Sequence, residues 1–160
     1  MTGLRDAMFS TPEMTAVFDG AAFVQRMLDF EAALARAQAA AGLIPQPAAD
    51  GIGGHCRADM LDLPALFRDA SEAGTPAVPL VRQLTDLVGP EAKAFVHWGA
   101  PSQDVIDTAL SLELKTAIDA LLLDLDVAIK GFNALAGRHR RTLSVARTLM
   151  QQALPMPFGL

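Results

Sequence analysis

Apolar residues recur at intervals of three and four along most of the chain, a spacing that places them on one side of an α-helix. In residues 18–41 the positions with this spacing are Phe18, Ala22, Val24, Met27, Leu28, Phe30, Ala33, Leu34 and Ala37. Gly42 and Pro45 follow, and both residue types are typical of a helix end. The pattern therefore predicts an amphipathic helix over most of this segment.

Shorter helices are predicted downstream. Residues 62–73 form one that ends at Gly74-Thr75-Pro76, and Pro79 lies in the first turn of the next. Residues 48–55 contain three glycines and no strong period, so a loop or a short broken helix is expected there. No segment shows the alternation of β-branched residues that is typical of strands, and no strand is predicted.

The longest predicted helix starts at Ser102, which we interpret as its N-cap, with Asp104 in the following turn. From Asp104 to about Gly137 the only interior glycine is Gly131 and there is no proline, which predicts a helix roughly 50 Å long. Its apolar residues cover more than one face, and such a helix needs several helical neighbours. We therefore expect an oligomeric bundle, a chain that stops before its bundle is complete, or both.

Composition agrees with association between chains, because 51% of the 160 residues are hydrophobic and only 19% are charged. The richest apolar stretch, 117–129, is interrupted by three aspartates, so it does not predict a membrane span. The N-terminus has no apolar signal core. With a net charge of −5, a nucleic-acid-binding face has little support, and we expect a cytoplasmic protein with neither nucleic acid nor membrane as partner.

Cys56 is the only cysteine in the chain. It has no partner for an internal disulfide, and no neighbouring His/Cys spacing predicts a zinc site. A small buried or loop residue and a lone catalytic thiol remain the two interpretations.

Polar chemistry is concentrated in "VHWGAPSQDVIDTAL", residues 96–110. A helix N-terminus offers free N–H groups and partial positive charge, which suit a carboxylate or phosphate. His97 and Ser102 would add donors to such a site. The structural alternative is that Ser102 only caps the helix, Trp98 lies in the core and His97 is a satisfied buried side chain.

A second polar cluster is "RTLMQQALPMPFG", residues 147–159. Arg147 is suited to grip a carboxylate with two parallel hydrogen bonds, and Gln151 and Gln152 are uncharged donors and acceptors. Two prolines two residues apart preclude a regular helix there. A surface turn and a ligand-binding loop are both compatible with this composition.

These two clusters resemble the first two signature regions of the fumarase/aspartase superfamily. Supporting stretches are "MLDFEAALARAQAAAGLIP", "AGTPAVPLVRQL" and "HRRTLSVARTLMQQALP". The resemblance implies an all-α protein with a small N-terminal helical domain, residues 1–100, followed by the first long helix and second-signature loop of the central bundle domain, residues 101–160. It also implies a homotetramer whose active sites combine regions from different subunits.

Within the superfamily, the residues of these stretches most resemble a cycloisomerase of aromatic-acid breakdown. This resemblance implies an enzyme that requires neither cofactor nor metal. In that reaction one carboxylate of a polycarboxylate substrate adds across a conjugated double bond and closes a lactone. Two alternatives stay open: another lyase of the superfamily, similar to adenylosuccinate or argininosuccinate lyase, or a non-catalytic fragment that associates through its long helix.

The resemblance carries functional roles to seven positions. His97 is the candidate for acid or electrostatic catalysis, and the candidates for substrate binding are Ser102, Gln103, Arg147, Thr148, Gln151 and Gln152. For Arg147, bracing of the loop is the alternative to clamping the substrate.

Several positions depart from the family pattern. Leu149 stands where adenylosuccinate lyases carry a histidine, and a leucine cannot transfer a proton, which argues against that activity. Pro101 replaces a hydroxyl-bearing threonine of many relatives, and this puts one substrate hydrogen bond in doubt.

The third signature, a mobile serine-containing loop, is expected beyond Leu160, so the chain is expected to be an N-terminal portion that is inactive alone.

Overall fold

A computed structural model describes residues 8–158. The first helices are α1 (Pro12–Val17), α2 (Gly20–Ala40) and α3 (Gln46–His55). The carboxylate of Asp19 accepts hydrogen bonds from the backbone N–H groups of the first turn of α2, and this fixes where the helix starts. The helix predicted within residues 18–41 is confirmed, and Gly42 follows it with a φ of 72°.

Two further helices are α4 (Leu63–Ala73) and α5 (Ala77–Leu87). Asp62 caps α4 by accepting from the N–H of Ala65, and Gly74 ends it with a left-handed φ of 68°. Both helices agree with the sequence pattern. Short 3-10 turns at Ala58–Met60 and Lys93–Phe95 complete this part of the chain.

The expectation of a loop or broken helix over residues 48–55 is wrong, because α3 is a regular helix. Its buried residues are Ala48, Ala49 and Ile52. A Cβ at Gly51 would lie 3.4 Å from the Cβ of Ala92, so the small residue lets the two segments come close. Burial of one face outweighs the low helix propensity of the glycines.

The hydrophobic core belongs to the part of the chain before residue 118. Its fully buried large side chains come from α2, α3, α4, α5 and the beginning of the next helix, and they include Met27, Leu28, Ile52, Leu66, Leu80, Leu84 and Val105. This packing holds α2 and the segment before residue 102 in fixed positions, and those two segments supply the first candidate site.

The long helix α6 runs over Ser102–His139, 38 residues, and confirms the prediction. Its buried residues are confined to its first half: Val105, Ala109, Glu113 and Ala117. Beyond them large apolar side chains are exposed over residues 118–135: Ile118, Leu121, Leu122, Leu123, Leu125, Val127, Ile129, Phe132 and Leu135.

A buried ion pair joins α2 to the first half of α6. Arg26 Nη1 lies 3.6 Å from Glu113 Oε1, and the two side chains are only 14% and 9% exposed. The same nitrogen donates a hydrogen bond to the carbonyl oxygen of Val17 at 3.0 Å. Both charges are therefore removed from water and depend on each other.

The expectation that no strand forms is also wrong. Strands β1 (Leu143–Arg147) and β2 (Gln152–Pro157) form an antiparallel hairpin. Pro155 pairs with Val145 and Pro157 with Leu143. The N–H of Phe158 donates to the carbonyl of Thr142. Backbone groups alternate in direction along a strand, so those of residues 155 and 157 point away from β1. The missing N–H of a proline at these positions therefore does not interrupt the ladder.

Two compact units divide the chain, residues up to 117 and residues from 118 onward. The all-α class is confirmed, with the hairpin as the β-structure among the described residues. The boundary at residue 100 between the two family domains stays a prediction. Among helices in residues 8–158, none is both long enough and apolar enough to cross a membrane.

Candidate functional site

The first candidate region is the N-terminus of α6. The helix begins at Ser102 itself, and the N–H of Asp104 donates to the carbonyl of Pro101 at 3.1 Å. Ser102 is therefore the first helical residue, and its assignment as the N-cap is wrong by one position. The first N–H groups of the helix still lack partners within it, so the helix end keeps its affinity for anions.

Gln103 follows on the exposed side of the helix. Its Nε2 donates a hydrogen bond to Asp107 Oδ1 at 2.6 Å, one turn further along. The amide is thus engaged with its own helix in this chain, and binding a substrate carboxylate would require it to leave that partner.

His97 lies just before the helix, in an unusual backbone conformation. Its φ is 54°, a left-handed value that is rare for a residue with a side chain, and Gly99 follows with a φ of 72°. Its ring nitrogen Nδ1 lies 2.6 Å from Oε1 of Glu31 on α2. Trp98 is 46% exposed, so its proposed place in the core is wrong.

Glu31 is a functional candidate that the sequence pattern missed. It is 1% exposed, on the buried side of α2 next to Leu28 and Ala32. Two turns further along α2, Gln38 Nε2 donates a hydrogen bond to the carbonyl oxygen of Trp98 at 2.6 Å. The available signal was a charged residue among the apolar positions of an amphipathic helix, since a buried carboxylate needs a partner.

The His97–Glu31 contact changes the acidity of the imidazole. The hydrogen bond to Glu31 raises the pKa of His97, burial opposes the rise, and the negative charges of Glu31 and Asp104 add to it. The folded state therefore gains stability from the charged imidazole below the ordinary pKa. That gain is lost as the pH rises through the raised pKa.

A cavity of about 280 Å³ lies beside His97 and Ser102. Its other lining residues come from α5 and are Ala77, Val78, Val81 and Arg82. Arg82 also forms an ion pair with Asp69 of α4. The wall of this space is predominantly apolar, and His97, Ser102 and Arg82 are its polar residues, which suits an organic ligand with a small polar or charged group. Arg82 was not among the residues expected from the sequence.

The second candidate region is the turn between β1 and β2. The backbone N–H and the hydroxyl of Thr148 both donate to the carbonyl oxygen of Gln151 at 2.9 Å, and Arg147 pairs with Gln152 across the ladder. A cavity of about 360 Å³ is lined by Val145, Ala146, Arg147, Met150, Gln151 and Gln152. Arg147 is exposed and has no ion pair with a carboxylate of residues 8–158, so its guanidinium is available to a ligand.

The seven sequence candidates thus fall into two groups. His97, Ser102 and Gln103 lie in the unit before residue 118, and Arg147, Thr148, Gln151 and Gln152 lie in the unit after it. Their roles in substrate binding and catalysis stay predictions. No cluster of three or more potential metal ligands occurs within residues 8–158.

Cys56 is buried, with 6% of its surface exposed. Burial raises the pKa of its thiol to about 12, and the charges of Glu31 and Asp29 add to the rise. A thiol of this kind is rarely ionised, so the structure favours the structural interpretation over a catalytic one.

We expect Cys56 to react slowly with a disulfide reagent such as DTNB at pH 8, because its raised pKa leaves roughly 10³-fold less thiolate than an ordinary cysteine has. The rate is measured by absorbance with the folded chain and with the same chain in guanidinium chloride. Equal rates in the two conditions would contradict a buried, protonated thiol.

Comparison with known proteins defines the family. The lyase family model matches residues 7–160, and the chain therefore belongs to the lyase family. A 3-carboxy-cis,cis-muconate cycloisomerase from Bradyrhizobium diazoefficiens is 55% identical over 156 residues, which are 96% of this chain and 35% of that protein. A nitrosuccinate lyase from Streptomyces davaonensis is 41% identical over 153 residues, 94% of this chain and 32% of that protein.

A solved structure gives the same result for the fold. The crystal structure of 3-carboxy-cis,cis-muconate lactonizing enzyme from Pseudomonas putida is 42% identical and superposes with a TM-score of 0.91, over 98% of this chain and 36% of that one. The superfamily resemblance of the sequence is thereby confirmed. The chain spans about a third of the length of the curated relatives it matches.

Proposed function

We propose that the whole protein containing this chain is a cycloisomerase that interconverts 3-carboxy-cis,cis-muconate and a carboxymuconolactone in aromatic-acid breakdown. The proposal rests on the 55% identity to a relative of that name. The structural observation that carries it is the cavity shared by His97 and Ser102 at the start of α6. We keep the cytoplasm as its expected location.

The proposed reaction makes one bond between oxygen and carbon. A carboxylate oxygen of the substrate attacks one carbon of a conjugated double bond, the π bond breaks, and its other carbon takes up a proton. Negative charge grows on the carboxylate next to that carbon before the proton arrives. Donors fixed where this charge develops are therefore the main catalytic requirement.

The residues near the start of α6 suit this requirement. In the proposal, the free N–H groups and the hydroxyl of Ser102 bind a substrate carboxylate, Gln103 adds an amide donor, and His97 donates a proton or stabilises charge. Arg147, with Thr148 and the two glutamines Gln151 and Gln152, binds a second carboxylate. No cofactor is required in this scheme.

The decisive assay follows loss of the diene absorbance of 3-carboxymuconate in the presence of the whole protein. We expect turnover and a lactone product, identified by NMR and mass spectrometry. Ser102→Ala should lower kcat/KM by roughly 10-fold or more, since it removes a hydrogen bond to a charged group. Ser71→Ala, at an exposed position of α4, is the matched control and should leave the rate unchanged.

A superfamily lyase is the second candidate, because the nitrosuccinate lyase from Streptomyces davaonensis is 41% identical to this chain. The same protein is assayed with nitrosuccinate, argininosuccinate and adenylosuccinate. Cleavage of one of these compounds without turnover of 3-carboxymuconate would replace the cycloisomerase by a lyase.

We further propose that the protein is a homotetramer built around α6, with residues 1–100 as the N-terminal domain and 101–160 as the start of the bundle domain. Support comes from the exposed apolar side chains of α6, several of which recur at intervals of three and four: Ile118, Leu121, Leu125, Phe132 and Leu135. With Ala128 they fit a seven-residue repeat, the pattern of helices that pack against other helices.

Leu125→Asp should reduce the oligomer to smaller species, because it places a charge within this apolar stripe. The mass is measured by sedimentation equilibrium of the whole protein. Asn133→Asp adds the same charge beside the stripe and serves as the control, which we expect to stay assembled. An unchanged mass for Leu125→Asp would exclude this stripe from the interface.

A further inference from the structure

The pair formed by Glu31 and His97 has a feature that a simple structural contact does not explain. Glu31 is 1% exposed and its Oε1 contacts the imidazole at 2.6 Å, while its Oε2 has no hydrogen-bond partner among the described residues. A carboxylate buried with one oxygen unsatisfied depends strongly on the charge of its single partner.

The geometry also fixes which imidazole nitrogen exchanges its proton. Because Nδ1 is held by the carboxylate, its proton stays in that hydrogen bond, and the nitrogen that gains and loses a proton is Nε2. Nε2 has no hydrogen bond to residues 8–158, and His97 lines the cavity that Ser102 also borders.

We propose that Glu31 is a positioning residue, which holds His97 through Nδ1 and keeps Nε2–H available as a proton donor to an anion in the cavity beside Ser102. This inference deepens the proposed function and rests on it for the identity of the anion. In the cycloisomerase scheme the proton leaves Nε2 for the substrate carbon, the electron pair of the N–H bond stays on nitrogen, and solvent returns the proton.

Two other charged groups lie near the imidazole. Asp104 on α6 adds negative charge that favours the protonated ring. Arg82 on α5 lines the same cavity, and its guanidinium is paired with Asp69. Glu31 is the group in direct contact with the ring, so its charge should dominate.

If the role of Glu31 were only structural, Gln38 would share it. Gln38 on α2 also holds the segment around His97, because its Nε2 donates a hydrogen bond to the carbonyl of Trp98 at 2.6 Å. If Glu31 only restrained the left-handed backbone at His97, loss of either tie would have the same effect. If Glu31 sets the protonation of His97, only its own substitution should change the titration.

The test compares Glu31→Gln, Gln38→Leu and Glu72→Gln in the whole protein labelled with ¹³C at histidine Cε1. The His97 signal is assigned by its absence in His97→Gln, and folding of each variant is checked by circular dichroism. We expect Glu31→Gln, which keeps an oxygen acceptor but removes the charge, to lower the pKa of His97 by about 1–3 pH units. Gln38→Leu and the exposed control Glu72→Gln should leave it in place.

Turnover gives the second measurement. The alkaline limb of the kcat/KM profile should move to lower pH in Glu31→Gln by the same amount as the NMR titration, while the two controls keep the wild-type profile. An unchanged His97 titration in Glu31→Gln would overturn the inference even in an active enzyme. Failure of the proposed function is distinguishable, because the wild-type protein would then not turn over 3-carboxymuconate while the NMR titration still moved in Glu31→Gln.

Discussion

Arg26→Met is expected to lower the free energy of unfolding by about 3–5 kcal/mol, because it leaves Glu113 buried without a cation. The arginine and the glutamate are 14% and 9% exposed, and their closest atoms are 3.6 Å apart. The substitution also removes the hydrogen bond from Arg26 to the carbonyl of Val17. Urea unfolding of the chain, followed by circular dichroism, measures the change.

The double variant Arg26→Met/Glu113→Leu should recover much of this loss, since it removes both buried charges and keeps their volume. Arg57→Met is the control: Arg57 and Asp59 are only 2.5 Å apart but 66% and 63% exposed, so water replaces the lost partner and stability should hardly change. An equal loss in Arg26→Met and Arg57→Met would show that burial does not determine the contribution of these pairs.

Arg147→Ala is expected to lower kcat/KM of the whole protein by roughly 10²–10³-fold, the effect of removing a charged, two-pronged contact to a carboxylate. The guanidinium is exposed and has no carboxylate partner among the described residues, so folding should be preserved. Steady-state kinetics on 3-carboxymuconate separates a rise in KM, which indicates binding, from a fall in kcat, which indicates a contact made in the transition state.

Arg68→Ala, at an exposed position of α4, controls for the loss of one positive charge. Its effect on the rate should be small. If Arg147→Ala kept both wild-type constants, Arg147 would be removed from the proposed site, and bracing of the hairpin would have to be tested by thermal unfolding.

The long helices could be predicted because their signals are local. Helix α6 follows from a stretch without proline, and α2 from apolar spacing closed by Gly42. Helix α3 could not be predicted in the same way, since its stability comes from burial of Ala48, Ala49 and Ile52, and three glycines hide that tertiary contribution from a local pattern.

The hairpin was not predicted because its strands lack the alternation of β-branched residues that is typical of strands. The two prolines of β2 are also unfavourable for a strand when only propensity is considered. Both prolines lie at positions whose backbone nitrogen faces away from β1, so the ladder needs no N–H from them. The pairing partner decides whether a proline is tolerated, and that partner is not visible in the segment itself.

Part of the candidate site was accessible from the sequence and part was not. His97 and Ser102 stand out because polar residues gather at the start of a helix. Glu31 contacts His97 across 66 positions of the chain, and no periodicity connects residues so far apart. Its presence on the buried face of α2 is a local anomaly, and its meaning becomes clear only when the two segments are packed together.

The prolines of β2 have a further consequence for the outer border of the hairpin. Positions 155 and 157 face away from β1 and offer no N–H group there. An extended segment from another molecule would find acceptors but no donors at these two sites, so it could not continue the ladder in register. The β2 border of the hairpin thereby disfavours edge-to-edge pairing with a strand of another molecule.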